Sequence, residues 1–391
     1  MAPETKSRKP ANTAFKQQRL KAWQPILTPK TVLPTFFIVG VIFAPLGGLL
    51  LWASNSVTEL AIDYTYCDSR ASDYPNFTNV PSDFISATFP QVSSPQQYIS
   101  KVQWAREVVV PDEAKYTNSN IWRCHLQFVM PSELKPPLFI YYRLTNFYQN
   151  HRSYVKSFSA PQLKGVAVSA DTLKDGPCKP MAVSDDNKAI YPCGLIANSI
   201  FNDTISNLTH ISNLDQSSAN NETYEFVSKG IAWPSDKQKY GATTYPNDQI
   251  RPPPDWASAY PNGTYTDSTP PPDLSTNELF QVWMRTAGLP DFRKLYSRND
   301  TTILQAGTYE LWIDYRYPVT RYGGTKSVVL STVSFLGGKN SFLGLAYIAV
   351  GIACVVLGAI FTARHLYKPR KLGDHTYLSW NNTQAPGTHR E

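Results

Sequence analysis

Two stretches of this chain run without charge for longer than a soluble fold ordinarily needs, and they constrain its architecture more than any other feature. Val32 to Ser54 is 23 residues with no Asp, Glu, Lys, Arg or His, and Phe342 to Ala363 is 22. Each exceeds the roughly 20 residues with which an α-helix crosses a bilayer core. They divide the chain into a tail at 1–31, a span at 32–54, a segment at 55–341, a span at 342–363 and a tail at 364–391. The 287 residues between the spans are enough for a folded domain with a core of its own.

Charge orients this arrangement. Seven Lys/Arg (Lys6, Arg8, Lys9, Lys16, Arg19, Lys21, Lys30) stand against Glu4 before the first span, and five basic residues against two acids follow the second. Of the net charge of +7, the tails therefore hold +6 and +3, leaving −2 on the segment between the spans. Cationic flanks stay on the cytosolic side, so both tails are expected in the cytosol and residues 55–341 outside it, in the lumen of the secretory pathway or at the cell surface. The rival reading of the first run is a cleaved signal peptide. A 31-residue leader, 23 apolar residues and the poor cleavage site Trp52-Ala53-Ser54 argue instead for an uncleaved anchor.

Four of the five cysteines, Cys67, Cys124, Cys178 and Cys193, lie between the spans, and Cys354 lies within the second. An even number in an oxidising compartment points to two disulfides. Three pairings are possible and spacing does not choose among them; the sequential one, Cys67 with Cys124 and Cys178 with Cys193, is preferred. Zinc is disfavoured, because no Cys-x-x-Cys occurs and His125, His151 and His210 lack ligand spacing. The glycosylation pattern Asn-x-Ser/Thr occurs in this segment at Asn76, Asn202, Asn207, Asn221, Asn262 and Asn299. A seventh, Asn381, falls in the cytosolic tail and is expected bare.

Period-two alternation marks half-buried antiparallel strands. Cys124, Leu126, Phe128 and Met130 share one face, Leu138, Ile140, Tyr142 and Leu144 another, and Tyr309, Leu311, Ile313, Tyr315 and Tyr317 a third. Lys326 to Phe335 is rich in β-branched residues and reads as a further strand. Asp171–Asp186 and Tyr240–Asp273, the latter with two Pro-Pro-Pro runs, read as long irregular excursions. Ser275 to Met284 is ambiguous: Ser275-x-x-Glu278 resembles a capping box, whereas Phe280, Val282 and Met284 alternate as in a strand. The fold class expected is two transmembrane helices flanking a mainly antiparallel, sandwich-like β domain.

The catalytic templates are missing: Gly-x-Ser-x-Gly, His-Glu-x-x-His and Gly-x-Gly-x-x-Gly do not occur. Gly323-Gly324-Thr325-Lys326-Ser327 departs from a phosphate loop in its glycine spacing and reads as a turn opening a strand. No cofactor, metal or nucleic-acid partner is expected. Two spans without ionisable side chains offer no evident ion path or proton relay, so any transport must be borrowed from a partner. Gly40, Ala44 and Gly48 at intervals of four, and Gly344, Gly351 and Gly358 at intervals of seven, form small-residue stripes on which another helix docks closely. In the N-terminal tail, Phe15, Ala22, Trp23 and Ile26 share a face if the segment is helical, while Lys16, Arg19 and Lys21 stay near lipid phosphate or an acidic partner surface.

Asn12–Pro34, Ile140–Phe158, Tyr191–Thr204, Pro252–Trp256 (PPPDW), Phe280–Tyr296, Tyr322–Val328 (YGGTKSV) and Gly373–Leu378 resemble, in order, the blocks of the cell division control protein 50 family, also called the ligand-effect modulator family. Its members are β-subunits of type-IV P-type ATPases, the phospholipid flippases. The resemblance implies a non-catalytic subunit in a one-to-one complex with a ten-span ATPase in a phospholipid membrane. It also implies support for the partner's export from the endoplasmic reticulum and for ATP-driven phospholipid movement to the cytosolic leaflet. The implied compartments are the endoplasmic reticulum, Golgi, endosomes and plasma membrane. The implied ectodomain is an antiparallel β-sandwich with long insertions and two disulfides. The Asp-Lys-Thr-Gly-Thr phosphorylation motif of the partner is absent here. One departure stands at Arg152-Ser153, where two basic residues are expected after Asn150-His151. The alternatives weighed are a two-span oligomeric channel and an adhesion or receptor ectodomain.

Overall fold

The computed structural model describes residues 11–22, 27–110, 120–211, 222–334 and 337–369. The chain forms two compact units, residues 1–51 with 341–391, and residues 52–340. The three longest helices among the described residues are α1 (Pro29–Asn55), α2 (Glu278–Met284) and α3 (Ser341–Tyr367).

In the first unit α1 and α3 are each 27 residues, about 40 Å of helix at 1.5 Å per residue, and both are long and apolar enough to cross a membrane. Each outruns its uncharged stretch at both ends. Side chains that a soluble protein would hide, such as Ile38, Val41, Leu49, Leu345 and Ile352, lie exposed. That exposure suits hydrocarbon and not water.

The second unit is a β-sandwich. Its principal strands are β1 (Glu59–Asp63), β2 (Ile85–Thr88), β3 (Gln103–Val109), β4 (Ile121–Met130), β5 (Leu138–Leu144), β6 (Leu208–Ile211), β7 (Phe292–Asn299), β8 (Gly307–Tyr315) and β9 (Lys326–Thr332). One sheet runs β7-β5-β9-β1-β2, antiparallel throughout. The other runs Thr223–Tyr224, β6, β8, β4, β3, Ser72–Asp73, with only the last pairing parallel along that order. Because alternate strand residues face opposite ways, one set from each sheet fills the interior. Leu60 lies opposite Leu330 and Ile62 opposite Val328 in the first sheet, and Leu126 opposite Leu311 and Cys124 opposite Ile313 in the second. All join one apolar core. The outermost chain segments of the domain, β1 and β9, pair in the middle of the first sheet, so closing it requires both ends of the 55–341 segment.

A second apolar cluster, with Leu163, Tyr191, Ile250, Tyr265, Leu274 and Phe280, forms beside the sandwich around the Cys178–Cys193 disulfide. It organises the proline-rich excursions, whose backbone offers few ladder hydrogen bonds. Ser275–Met284 resolves as helix, and the capping residue is Asn277 in place of Ser275. Asn277 Oδ1 accepts from the Phe280 amide at 3.0 Å, while Ser275 turns back to Asp273. Burial favours the helix, since Phe280, Gln281 and Trp283 are all enclosed, which a two-faced strand could not achieve.

Candidate functional site

Segments 140–158, 191–204, 280–296 and 322–328, scattered over nearly two hundred residues, converge on one aromatic cluster at the end of the first sheet. Trp283 of α2 is fully buried and donates from Nε1 to the Ile196 carbonyl at 2.7 Å. Phe147 stands 5.7 Å from Trp283 and 5.3 Å from Tyr322, and Tyr142 stacks on Phe201 with centroids 3.9 Å apart. Such offset and edge-to-face contacts add about 0.5–1.5 kcal/mol each beyond area burial. Polar side chains fasten the loops to this cluster. Gln149, buried, accepts from the Ala287 amide at 2.9 Å, Asn150 donates to the Gly288 carbonyl at 3.0 Å, and Asn146 donates to the Tyr322 carbonyl at 2.6 Å. Lys294 closes the far end of α2, donating to the carbonyls of Val282, Trp283 and Arg285, as a cation should at a helix C-terminus.

What this platform presents outward is mixed cationic and apolar. Tyr148 (59% exposed), Leu289 (69%) and Val155 project from it. His151, Arg152 and Lys156 are exposed alongside. Arg152 stands at the start of a short helix, Arg152–Val155, and Ser153 adds no second charge. This braced base carries exposed aromatic and aliphatic groups among cations.

Behind it lies a buried ion pair that pattern reading did not single out. Lys326 Nζ meets Asp203 Oδ2 at 2.6 Å, with both side chains inaccessible to solvent. Burial lowers the Lys326 pKa, and the Asp203 charge opposes that shift. Asp203 also accepts from Tyr64 Oη and from the Arg316 and Tyr317 amides. Gly323, at φ 65°, and Gly324 make the preceding turn; a Cβ on Gly324 would stand 2.5 Å from the Thr145 carbonyl oxygen. The turn therefore delivers Lys326 into the core, onto Asp203. The only sequence signal was a lysine opening an otherwise apolar β-branched run.

The sulfurs of Cys67 and Cys124 are bonded, as are those of Cys178 and Cys193; Cys354 is free. Asn76, Asn202 and Asn262 are exposed and Asn207 is half-buried, its Oδ1 accepting from the Phe226 amide. Asn299 differs: at 8% exposure its Nδ2 donates to the Glu225 carbonyl and its Oδ1 accepts from the Thr301 and Thr302 amides. Asn221 and Asn381 lie outside the described residues.

The small-residue stripes meet each other across the two helices. A Cβ on Gly351 would stand 2.9 Å from the Ala44 nitrogen, one on Gly358 3.2 Å from the Phe37 ring, and one on Gly344 3.0 Å from the Gly47 oxygen. Gly40 packs on Val355 and Gly351, but Gly48 touches nothing and its place is taken by Gly47. Helical geometry explains why Gly47 and not Gly48 faces α3. Four-residue steps drift about 40° each, whereas seven residues return to within about 20°, so 40, 44 and 47 stay on the seam with 344, 351 and 358.

In the N-terminal segment residues 14–18 form turns and not a helix, Phe15 is 76% exposed, and Arg19 hydrogen-bonds the Asn12 side chain. Ala22 is described as exposed and irregular, while Trp23 and Ile26 lie outside the described residues, so a shared helical face is not formed among the described ones.

Comparison with known proteins gives this geometry its context. The description "LEM3 (ligand-effect modulator 3) family / CDC50 family" matches residues 50–371. The chain is 44% identical over 387 residues to the phospholipid-transporting ATPase accessory subunit CDC50 of Chaetomium thermophilum, covering 97% of this chain and 93% of that one. It is 42% identical over 384 residues to the phospholipid-transporting ATPase accessory subunit CRF1 of Saccharomyces cerevisiae, covering 97% and 91%. Against cell cycle control protein 50A of Bos taurus it is 38% identical over 383 residues, covering 93% and 91%. With two membrane-length helices, a β-sandwich between them and a match running almost from end to end, this chain belongs to the LEM3/CDC50 family.

Proposed function

We propose that this protein is a non-catalytic accessory subunit of a phospholipid-transporting, type-IV P-type ATPase, bound to it one-to-one. The observation that carries the reading is identity of 44% and 42% over 97% of the chain to two proteins named as such subunits. The aromatic platform with Tyr148, Arg152, Val155 and Leu289 serves as an exoplasmic contact for the ATPase. Phe15 and Arg19 engage lipid headgroups or the partner on the cytosolic side, with Trp23 extending that segment. The basic tails keep both ends in the cytosol and place the sandwich in the lumen, where Asn76, Asn202, Asn207 and Asn262 take glycans. Because the glycine seam is occupied by the α1–α3 contact, the partner's helices approach other faces of the pair.

An accessory subunit that binds only the folded ATPase stabilises it by mass action, so its absence leaves the partner unstable and retained in the endoplasmic reticulum. The test is co-expression with a phospholipid-transporting ATPase, followed by purification in mild detergent and reconstitution. Equimolar co-purification and ATP-dependent phospholipid movement that requires both chains are expected. Full transport by the ATPase alone, ATP hydrolysis by this chain alone, or its isolation as a homotrimer would overturn the reading.

A further inference from the structure

On the outer face of the second sheet a histidine sits between two carboxylates. His125 of β4 is buried, with Nδ1 2.9 Å from Glu310 Oε1 on β8 and Nε2 3.2 Å from Glu107 Oε2 on β3. Glu310 is fixed from its other oxygen by Gln127 Nε2 at 2.9 Å. Trp312 and Ala105 flank His125 in register on the two neighbouring strands, and Arg123, the next charge on the same face of β4, is engaged with Asp314 at 2.7 Å. Above the imidazole lies Tyr74, stacked at 4.4 Å. Tyr74 belongs to a strap, residues 72–79, that pairs along the free side of β3 through Ser72–Asp73 and Thr78–Asn79. The strap is tied further by the Arg106–Asp73 pair at 2.8 Å and by the Tyr74 amide donating to the Arg106 carbonyl.

We infer that His125 is a proton-operated clamp that holds the 72–79 strap and strand β3 against the sandwich when charged and loosens them when neutral. An ionised carboxylate only accepts hydrogen bonds, so carboxylates at both ring nitrogens are satisfied together only by the imidazolium. A neutral ring keeps one N–H. The shorter contact, to the doubly held Glu310, retains it. The longer one, to Glu107, then becomes a lone pair facing a carboxylate. Glu107 is 41% exposed and sits on the strand that carries the strap, so its release is felt there and not in the β4–β8 ladder. Stabilisation from the clamp is thus present while the imidazole is charged and lost when it gives up its proton. The inference stands on this geometry alone and does not depend on the identity of the partner.

Hydrogen exchange of the full-length chain in mild detergent, followed by peptide mass spectrometry at pH 5.5 and 8.0 and corrected for intrinsic exchange, tests it. Peptides covering 72–80 should open about fivefold more readily at pH 8.0 than at pH 5.5, the scale of one partly exposed ion pair. Peptides from β4 and β8 should hold their protection, which also reports that the fold is intact. In His125→Gln the pH dependence of the strap should vanish, and in Glu107→Gln it should shrink while the strap stays paired. Strap protection that is independent of pH in the unsubstituted chain overturns the inference whether or not either variant folds. An unchanged pH dependence in a folded His125→Gln chain overturns it as well.

Discussion

Asp203 receives four hydrogen bonds, two from the backbone of residues 316 and 317 and one each from Tyr64 and Lys326. Removing one partner of a fully enclosed ion pair strands a charge in a medium that cannot solvate it, at a cost of about 3–5 kcal/mol. Lys326→Met is therefore expected to lower the thermal midpoint of the purified chain severely. Adding Asp203→Asn to it should recover part of the loss, a coupling that a double-mutant cycle reads directly. Glu278 makes a gentler case. Burial opposes its charge, yet the amides of Ala232 and Gly230 and the Lys237 ammonium outweigh that and hold its carboxyl down at about 2. A carboxyl depressed in the fold contributes stability that is complete above its unfolded value near 4.5 and lost as pH falls through the folded one. Glu278→Gln should consequently be destabilising at pH 7 by about 1–3 kcal/mol, with the gap to the parent closing between pH 4.5 and 2.

Among the elements, the α1–α3 seam depends on the absence of side chains at Gly40, Gly47, Gly344 and Gly351, where a Cβ would meet the backbone of the other helix, and at Gly358, where it would meet the Phe36 and Phe37 side chains. Leucine at Gly351 keeps the span apolar enough to insert, but its Cβ falls on Ala44. Gly351→Leu is expected to separate the two helices, whereas Gly48→Leu, facing open space, should be neutral. Cysteine pairs introduced across the seam and scored for cross-linking would distinguish the two outcomes. The disulfides act on different elements. Cys178–Cys193 closes a loop of 15 residues within the second cluster, and Cys67–Cys124 spans 57 and pins the approach to the 72–79 strap onto β4. Chain entropy assigns them about 3 and 4 kcal/mol. Cys178→Ser and Cys193→Ser should match each other in melting temperature, as should Cys67→Ser and Cys124→Ser.

At the scale of the whole molecule, the first sheet is closed by strands that follow α1 and precede α3 in the chain. A truncation that removes either β1 or β9 takes away a central strand and not an edge, and the sandwich should fail to fold; protease resistance of the 55–341 region measures this. Assembly belongs to the same scale. Replacing Tyr148 and Leu289 with serine removes exposed apolar area from the platform without touching Trp283 or Phe147. The chain should fold normally, as read by its melting temperature, but recover less ATPase on co-purification.

Hydropathy and charge read along the chain were enough for the two spans and the strand alternation, because insertion into a bilayer and burial of one sheet face depend on residue type and period alone. The resemblance carried the family, which the full-length match establishes. Which glycine of the Gly47-Gly48 doublet packs, that Ser275–Met284 is a helix capped by Asn277, and that the Asn299 side chain is enclosed and hydrogen-bonded were decided by tertiary structure. Each depends on what lies opposite a residue in space. So does the convergence of Asp203 with Lys326, 123 positions apart, and of Glu107, His125 and Glu310 from three strands. Local sequence specifies how a segment turns and which side of it avoids water; only the pairing of strands distant in the chain specifies which charge meets which.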